Sequence, residues 1–202
     1  MKKHYLLVLA LSSCLFSYAQ DKGDFEYGIF GGLNISNIST IDNEDASSSR
    51  VALNIGAYGD YYFSDRWSIK GSLIYDQKGW SDGFFADETE TFTTDYALNY
   101  LSVPIVANWH FAKKRNWYLN VGPYAGFLLS GKTTENDIDV SEAFKSTDFG
   151  LAFGIGVKIP VNNDQHLFIE YGAQSGFTDI FEQNEGEAIR NGRSSINIGF
   201  SF

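Results

Sequence analysis

Three features of this 202-residue chain predict an all-β fold: an eight-stranded antiparallel up-and-down transmembrane β-barrel with long extracellular loops and short periplasmic turns. Apolar and non-apolar residues alternate with period two, the signature of strands with two unlike faces. Short polar connections alternate with long ones. Aromatic residues gather near the expected strand ends, where a ring with one apolar and one wet side suits a bilayer boundary. Helical periodicity never competes over more than a few residues. No run after residue 20 is apolar for the roughly 18 residues that would suggest a transmembrane helix.

Composition narrows the function classes. Aromatics make up 16% of the chain, far more than a disordered segment carries. The net charge of -10 argues against a nucleic-acid binder, which needs a basic face. The single cysteine, Cys14, and three scattered histidines exclude a zinc domain.

Residues 1–19 read as a signal peptide, leaving 20–202 as the barrel domain. Lys2 and Lys3 form its positive start, Tyr5 to Leu11 its apolar run, and Ser17-Tyr18-Ala19 its cleavage site. Losing two lysines takes the net charge to -12. Leu11-Ser12-Ser13-Cys14 resembles a lipoprotein box, but the apolar run continues through Leu15 and Phe16. Cleavage after Ala19 would leave no cysteine and no disulfide framework.

Eight strands follow, over 25–35, 50–63, 67–80, 96–111, 116–131, 147–160, 166–177 and 193–202. The first presents Tyr27, Ile29 and Leu33 on one face; the second Val51, Leu53, Ile55, Tyr61 and Phe63; the third Trp67, Ile69, Leu73 and Tyr75. The fourth presents Leu101, Val103, Ile105 and Trp109, and the fifth Trp117, Leu119, Val121, Phe127 and Leu129. In the sixth, Phe149 to Ile159 alternate with Gly150, Ala152, Gly154, Gly156 and Lys158. The seventh offers Leu167, Ile169 and Tyr171; the eighth alternates Ile196, Ile198, Phe200 and Phe202 with Ser195, Asn197, Gly199 and Ser201. Pro104 and Pro123 fall inside strands, where a bulge or bend is expected because proline cannot donate to a ladder.

A soluble ligand-binding barrel would also alternate. Here the non-apolar face is Gly, Ser and Asn with scattered charges, which suits a crowded interior better than a solvated surface. Short turns at 64–66, 112–115 and 161–165 on one side and long loops on the other match an outer-membrane barrel. Closure leaves no backbone edge unpaired in hydrocarbon. Tyr75, Trp80, Tyr96 and Phe149 are expected at the bilayer boundary near the long loops, and Phe63, Trp67, Trp109, Phe111 and Trp117 near the turns.

The segments Tyr100-Leu101-Ser102-Val103-Pro104-Ile105 and Gly122-Pro123-Tyr124-Ala125-Gly126, with the terminal Phe202, resemble the PorT-type outer-membrane β-barrel domain family. The resemblance implies an outer-membrane location and a C-terminal strand read through Phe202 by the barrel-assembly machinery. It also allows a role as a subunit or assembly factor of a secretion system, with another envelope or secretion protein as partner. Its motifs are structural and imply no activity.

Inward charges are expected at Glu26, Asp60, Lys70, Asp76, Lys78, Lys158 and Glu170. Folding the second and third strands about Asp65 sets Asp60 opposite Lys70; folding the sixth and seventh about Asp164 sets Lys158 opposite Glu170. Buried charges need partners, so these predict an ion-pair plug rather than a pore or proton path. An eight-stranded barrel leaves no wide channel. His110 and His166 read as turn residues, at the wrong end for lipid chemistry near the external leaflet, and no serine is expected beside either. No catalytic residue and no cofactor is expected.

Seventeen of the 25 acids fall in the long loops: Asp42, Glu44 and Asp45; Asp82, Asp87, Glu88, Glu90 and Asp95; Glu135, Asp137, Asp139, Glu142 and Asp148; Asp179, Glu182, Glu185 and Glu187. They read as a solvated, repulsive surface or a docking face. Asn136, Asp137 and Asp139 offer oxygens for a divalent cation but lack the spacing of a calcium loop. Trp80, Phe84, Phe85 and Phe92 make the second loop the candidate partner surface. Lys113-Lys114-Arg115 is a short basic turn that reads as a headgroup anchor. The expected partners are therefore outer-membrane lipid and proteins, not nucleic acid. The sequence predicts an integral, non-enzymatic barrel with a structural or partner-binding role.

Overall fold

The computed structural model describes residues 22–39, 47–86, 91–162 and 165–202. The expected signal peptide, Cys14, the acids Asp42, Glu44, Asp45, Asp87, Glu88 and Glu90, and the side chains of Phe84, Phe85 and Phe92 lie outside the described residues. The strands are β1 (Phe25–Ser39), β2 (Ser48–Ser64), β3 (Trp67–Ala86), β4 (Thr91–Phe111), β5 (Trp117–Thr133), β6 (Thr147–Pro160), β7 (His166–Gly176) and β8 (Arg190–Ser201). Each pairs antiparallel with the next. β1 pairs back onto β8 from Gly28↔Ser201 to Ser39↔Arg190, so the barrel is closed.

Period-two alternation sorts the side chains as a membrane barrel requires. Val51, Ile55, Leu53 and Ile196 stand on the outside, each at least 60% exposed. Asn34, Asp60, Asp76, Ser102 and Asn108 lie inside, each at most 1% exposed. No helix among the described residues is long and apolar enough to cross a membrane. Spanning falls to the strands, whose ladders satisfy the backbone in hydrocarbon.

The strands outrun their sequence boundaries at the long-loop end. β3 and β4 pair through Gly83↔Thr94, Phe84↔Thr93 and Phe85↔Phe92, so the second loop is largely a continued hairpin. The Asp and Glu content there reads as loop, yet Thr and Phe favour strand. A register shift between Trp80 and Gly83 bends this hairpin. Gly79 has φ +120°, and a Cβ there would strike the Tyr96 carbonyl, so only glycine fits.

The prolines are accommodated without bulges at their own positions. The β3–β4 ladder skips from Gly71↔Ile105 to Ile74↔Ser102 around Pro104. The β4–β5 ladder skips from Pro104↔Tyr124 to Ala107↔Val121 beside Pro123. Both gaps keep their register.

One predicted pairing is displaced. Asp60 does face Lys70 across β2 and β3. Lys158, however, pairs with Phe168, and Glu170 with Gly156. The β6–β7 turn is centred one residue earlier than Asp164, which frees Lys158 from Glu170.

Candidate functional site

The interior is a stack of charged rungs. Lys158 Nζ lies 2.6 Å from Glu26 Oε1 and donates to the Tyr62 hydroxyl at 2.8 Å, while Tyr58 donates to Glu26 at 2.9 Å. Lys70 lies 2.7 Å from Glu170, which also accepts from Asn120 at 3.1 Å. Lys78 lies 3.3 Å from Asp148, which accepts from Tyr124 at 3.0 Å and Asn191 at 3.1 Å. Arg193 lies 3.3 Å from Asp76, which accepts from Asn34 at 2.7 Å and Ser102 at 3.0 Å.

Each interior lysine also sits between two tyrosine rings. Lys70 is 5.3 Å from the Tyr58 ring and 5.2 Å from Tyr118; Lys78 is 5.1 Å from Tyr100 and 4.6 Å from Tyr124. Lys158 is 5.5 Å from Tyr62 and 5.7 Å from Tyr118. The ring faces supply electron density where water is excluded. Asp60 accepts from Asn108 at 3.0 Å, and among the described residues no cation pairs with it. Five carboxylates therefore face four cations. A cavity of about 40 Å³ remains mid-barrel, bordered by Lys70, Glu170, Gln174 and Arg193. It has room for a few waters at roughly 10–15 Å³ each, not for a continuous channel.

The long-loop mouth is closed differently. Trp80 stacks on Tyr96 at 4.5 Å and meets Phe144 at 5.9 Å and Phe181 at 6.2 Å. Leu98, Tyr100 and Ile180 complete this apolar cluster. Lys145 N–H donates to the Ile180 carbonyl at 2.8 Å and Glu182 N–H to Ala143 at 3.0 Å, tying the β5–β6 and β7–β8 connections together. Trp80 is only 4% exposed. It is a core residue of the lid, which corrects both its expected place at the bilayer boundary and its place on a partner-binding loop. Tyr96 is buried with it.

Several interior features are not singled out by the sequence. Asp148, counted as a loop acid, lies inside at 1% exposure. Its phase with Gly150, Ala152 and Lys158 was the available signal. Arg193 is in phase with Ser195 and Asn197, and Tyr58 and Tyr62 are in phase with Asp60. Ser68 was also missed: its Oγ lies 3.0 Å from His110 Nε2. Both residues are buried, and no hydrogen bond is made at His110 Nδ1. The pair thus lacks the orienting acid and the substrate access a nucleophile needs. His166 is half-buried at the other predicted turn position.

Three of the outer acids, Asp137, Asp139 and Asp179, hold the loops. Asp137 takes Lys132 at 2.8 Å, and Asp139 accepts from the Ser141 N–H at 2.9 Å. The Ser141 donors keep the Asp139 carboxyl below its usual range. No group of three His, Cys, Asp or Glu suited to a metal occurs among the described residues. Burial raises the Asp179 carboxyl, but donors from Asn184, Phe181 and Ile189 outweigh it and hold the carboxyl below its usual value. Glu135, Glu142, Glu182, Glu185 and Glu187 stand in solvent around the mouth.

A family model described as outer membrane protein beta-barrel domain matches residues 18–182. No curated protein shows significant similarity to the chain. Among solved structures, the outer membrane protein OprG of Pseudomonas aeruginosa superposes with a TM-score of 0.53 at 12% identity, over 91% of this chain and 98% of that one. Neisserial surface protein A superposes with a TM-score of 0.51 at 15% identity, over 87% of this chain and 95% of that one. At such identities the likeness concerns the fold.

Proposed function

The chain belongs to the outer membrane protein β-barrel domain family, and from that premise we propose that it is a plugged, non-enzymatic barrel that works through its acidic long-loop face. The observation that carries this reading is the filled interior: four ion pairs below and an aromatic lid above. With the bore filled among the described residues, the exposed rim is the surface left for function. The rim carries Glu135, Glu142, Glu182, Glu185 and Glu187 on loops that are pinned by their own hydrogen bonds and by the lid. A fixed acidic surface suits a basic protein segment, through electrostatic steering and complementarity.

The test uses the purified protein in zwitterionic vesicles with a fluorescent lysine-rich peptide. Binding should occur at low salt, weaken as salt screens it, and fall in the triple variant Glu182→Gln, Glu185→Gln, Glu187→Gln. Equal binding by that variant, or none by the parent, would reject the reading. Trypsin on intact cells tests the orientation, with cutting expected at Lys132 and Arg190 and sparing of Lys113 to Arg115. Loops protected in cells but cut in detergent would instead support a subunit covered by an envelope or secretion partner. Phe202 stacks on Tyr27 at 5.8 Å and stays 40% exposed on the outer face, which supports its reading by the assembly machinery.

A further inference from the structure

The outer wall is not uniform. At the short-turn end Trp67, Trp109, Leu119, Ile155 and Tyr171 are successive cross-strand partners from β3 to β7. Beside this row, Ala107 and Ala173 stand where larger residues would project, and the wall sinks into an apolar trough of about 560 Å³. That is within the roughly 300–1,000 Å³ of ordinary ligand pockets. Trp67 and Trp109 stack at its edge, 6.4 Å apart, and Trp109, Phe111 and Trp117 continue the aromatic belt.

Immediately beyond that edge the surface is cationic. Arg66 precedes Trp67, and Lys113, Lys114 and Arg115 follow Phe111. Arg115 Nη1 donates to the Asp65 carbonyl at 3.0 Å and binds the two turns together. The β2–β3 and β4–β5 turns thus carry four basic residues and one acid, Asp65, on a chain whose net charge is -10. Lys113 and Lys114 are exposed.

We propose that this wall is a binding site for an anionic phospholipid, with an acyl chain in the trough and the phosphate at the cationic turns. Charge complementarity selects this occupant. A second copy would bring the same cationic turns into apposition, and a zwitterionic lipid, whose ammonium offsets its phosphate, would gain less from them. Tryptophan rings at the headgroup level fit the same arrangement. The inference rests on the outer-membrane location and is independent of the role proposed for the acidic face.

The protein reports on the site through its own fluorescence. Three of its four tryptophans, Trp67, Trp109 and Trp117, border the site, while Trp80 is buried in the lid. The purified protein is reconstituted in phosphatidylcholine vesicles, and brominated phosphatidylglycerol or brominated phosphatidylcholine is titrated in as quencher. Brominated phosphatidylglycerol should quench at about fivefold lower mole fraction, the effect of roughly one basic residue near an anionic surface. In Lys113→Glu/Lys114→Glu the two quenchers should become equivalent. Coincident curves for the parent protein would overturn the proposal, and so would a preference that survives the charge reversal. Failure of both lipids to quench would show the trough covered by protein, and would overturn it as well.

Discussion

The two ends of the barrel interior are closed by opposite chemistry. From the short turns up to just beneath the mouth, each interior lysine sits between two tyrosine rings and holds a carboxylate. At the mouth, Trp80, Tyr96, Phe144, Ile180 and Phe181 close the bore with apolar surface. Each device suits the part of the fold that carries it. Charged rungs are anchored on strands, where facing side chains have fixed positions. The lid draws Phe144, Ile180 and Phe181 from connections, and an apolar contact tolerates their looser geometry. Desolvated charges do not tolerate it, because a misplaced partner leaves an uncompensated charge.

The largest effect should come from breaking a rung. Lys78→Ala leaves Asp148 buried without its cation and should cost about 3–5 kcal/mol. Denaturant unfolding, followed by the gel shift of the folded barrel, measures this. The double variant Lys78→Met/Asp148→Leu should recover most of the loss. A double variant as unstable as the single one would show that the tyrosine and asparagine contacts dominate.

A lid residue should matter less, and locally. Phe144→Ala removes burial worth about 1.5–3 kcal/mol. The β5–β6 and β7–β8 connections should then exchange amide hydrogens faster, while the strands below stay protected. Loss of protection in β2 or β3 would mean that lid and rungs fold as one unit.

Asp60 sharpens the contrast from the other side. Because it has no cation of its own, Asp60→Asn should be neutral or slightly stabilising in the same unfolding assay. A cost as large as that of Lys78→Ala would place it in a rung after all.

The smallest effect is on pH. Asp179 is held below its ordinary value by the donors around it. Its contribution to loop anchorage is therefore complete above the ordinary carboxylate range and is lost as pH falls through the lowered value. Amide exchange at Phe181 and Ile189, which donate to Asp179, should quicken only in that acid window. The group is largely solvent-screened, so global stability should barely move.

The sequence made the barrel legible because period-two alternation reports strands whether or not their partners are known. It also marked Glu26, Lys70, Lys158 and Glu170 as inward-facing. It could not pair them, since a turn centred one residue earlier than Asp164 carries Lys158 away from Glu170 and Lys158 meets Glu26 across the bore. Asp148 looked like one more loop acid because composition hid its phase. Trp80 looked interfacial because aromatic residues at strand ends serve lids and girdles alike. Only closure of the barrel, and the bridge between Phe144 and Phe181, separates the two.

The most direct test of the plugged interior is current through the purified protein in a planar bilayer. The parent protein should give no stable steps above baseline, and steps should appear when Lys78→Ala and Phe144→Ala open the rung and the lid together. Discrete, long-lived conductance in the unmodified protein would contradict it.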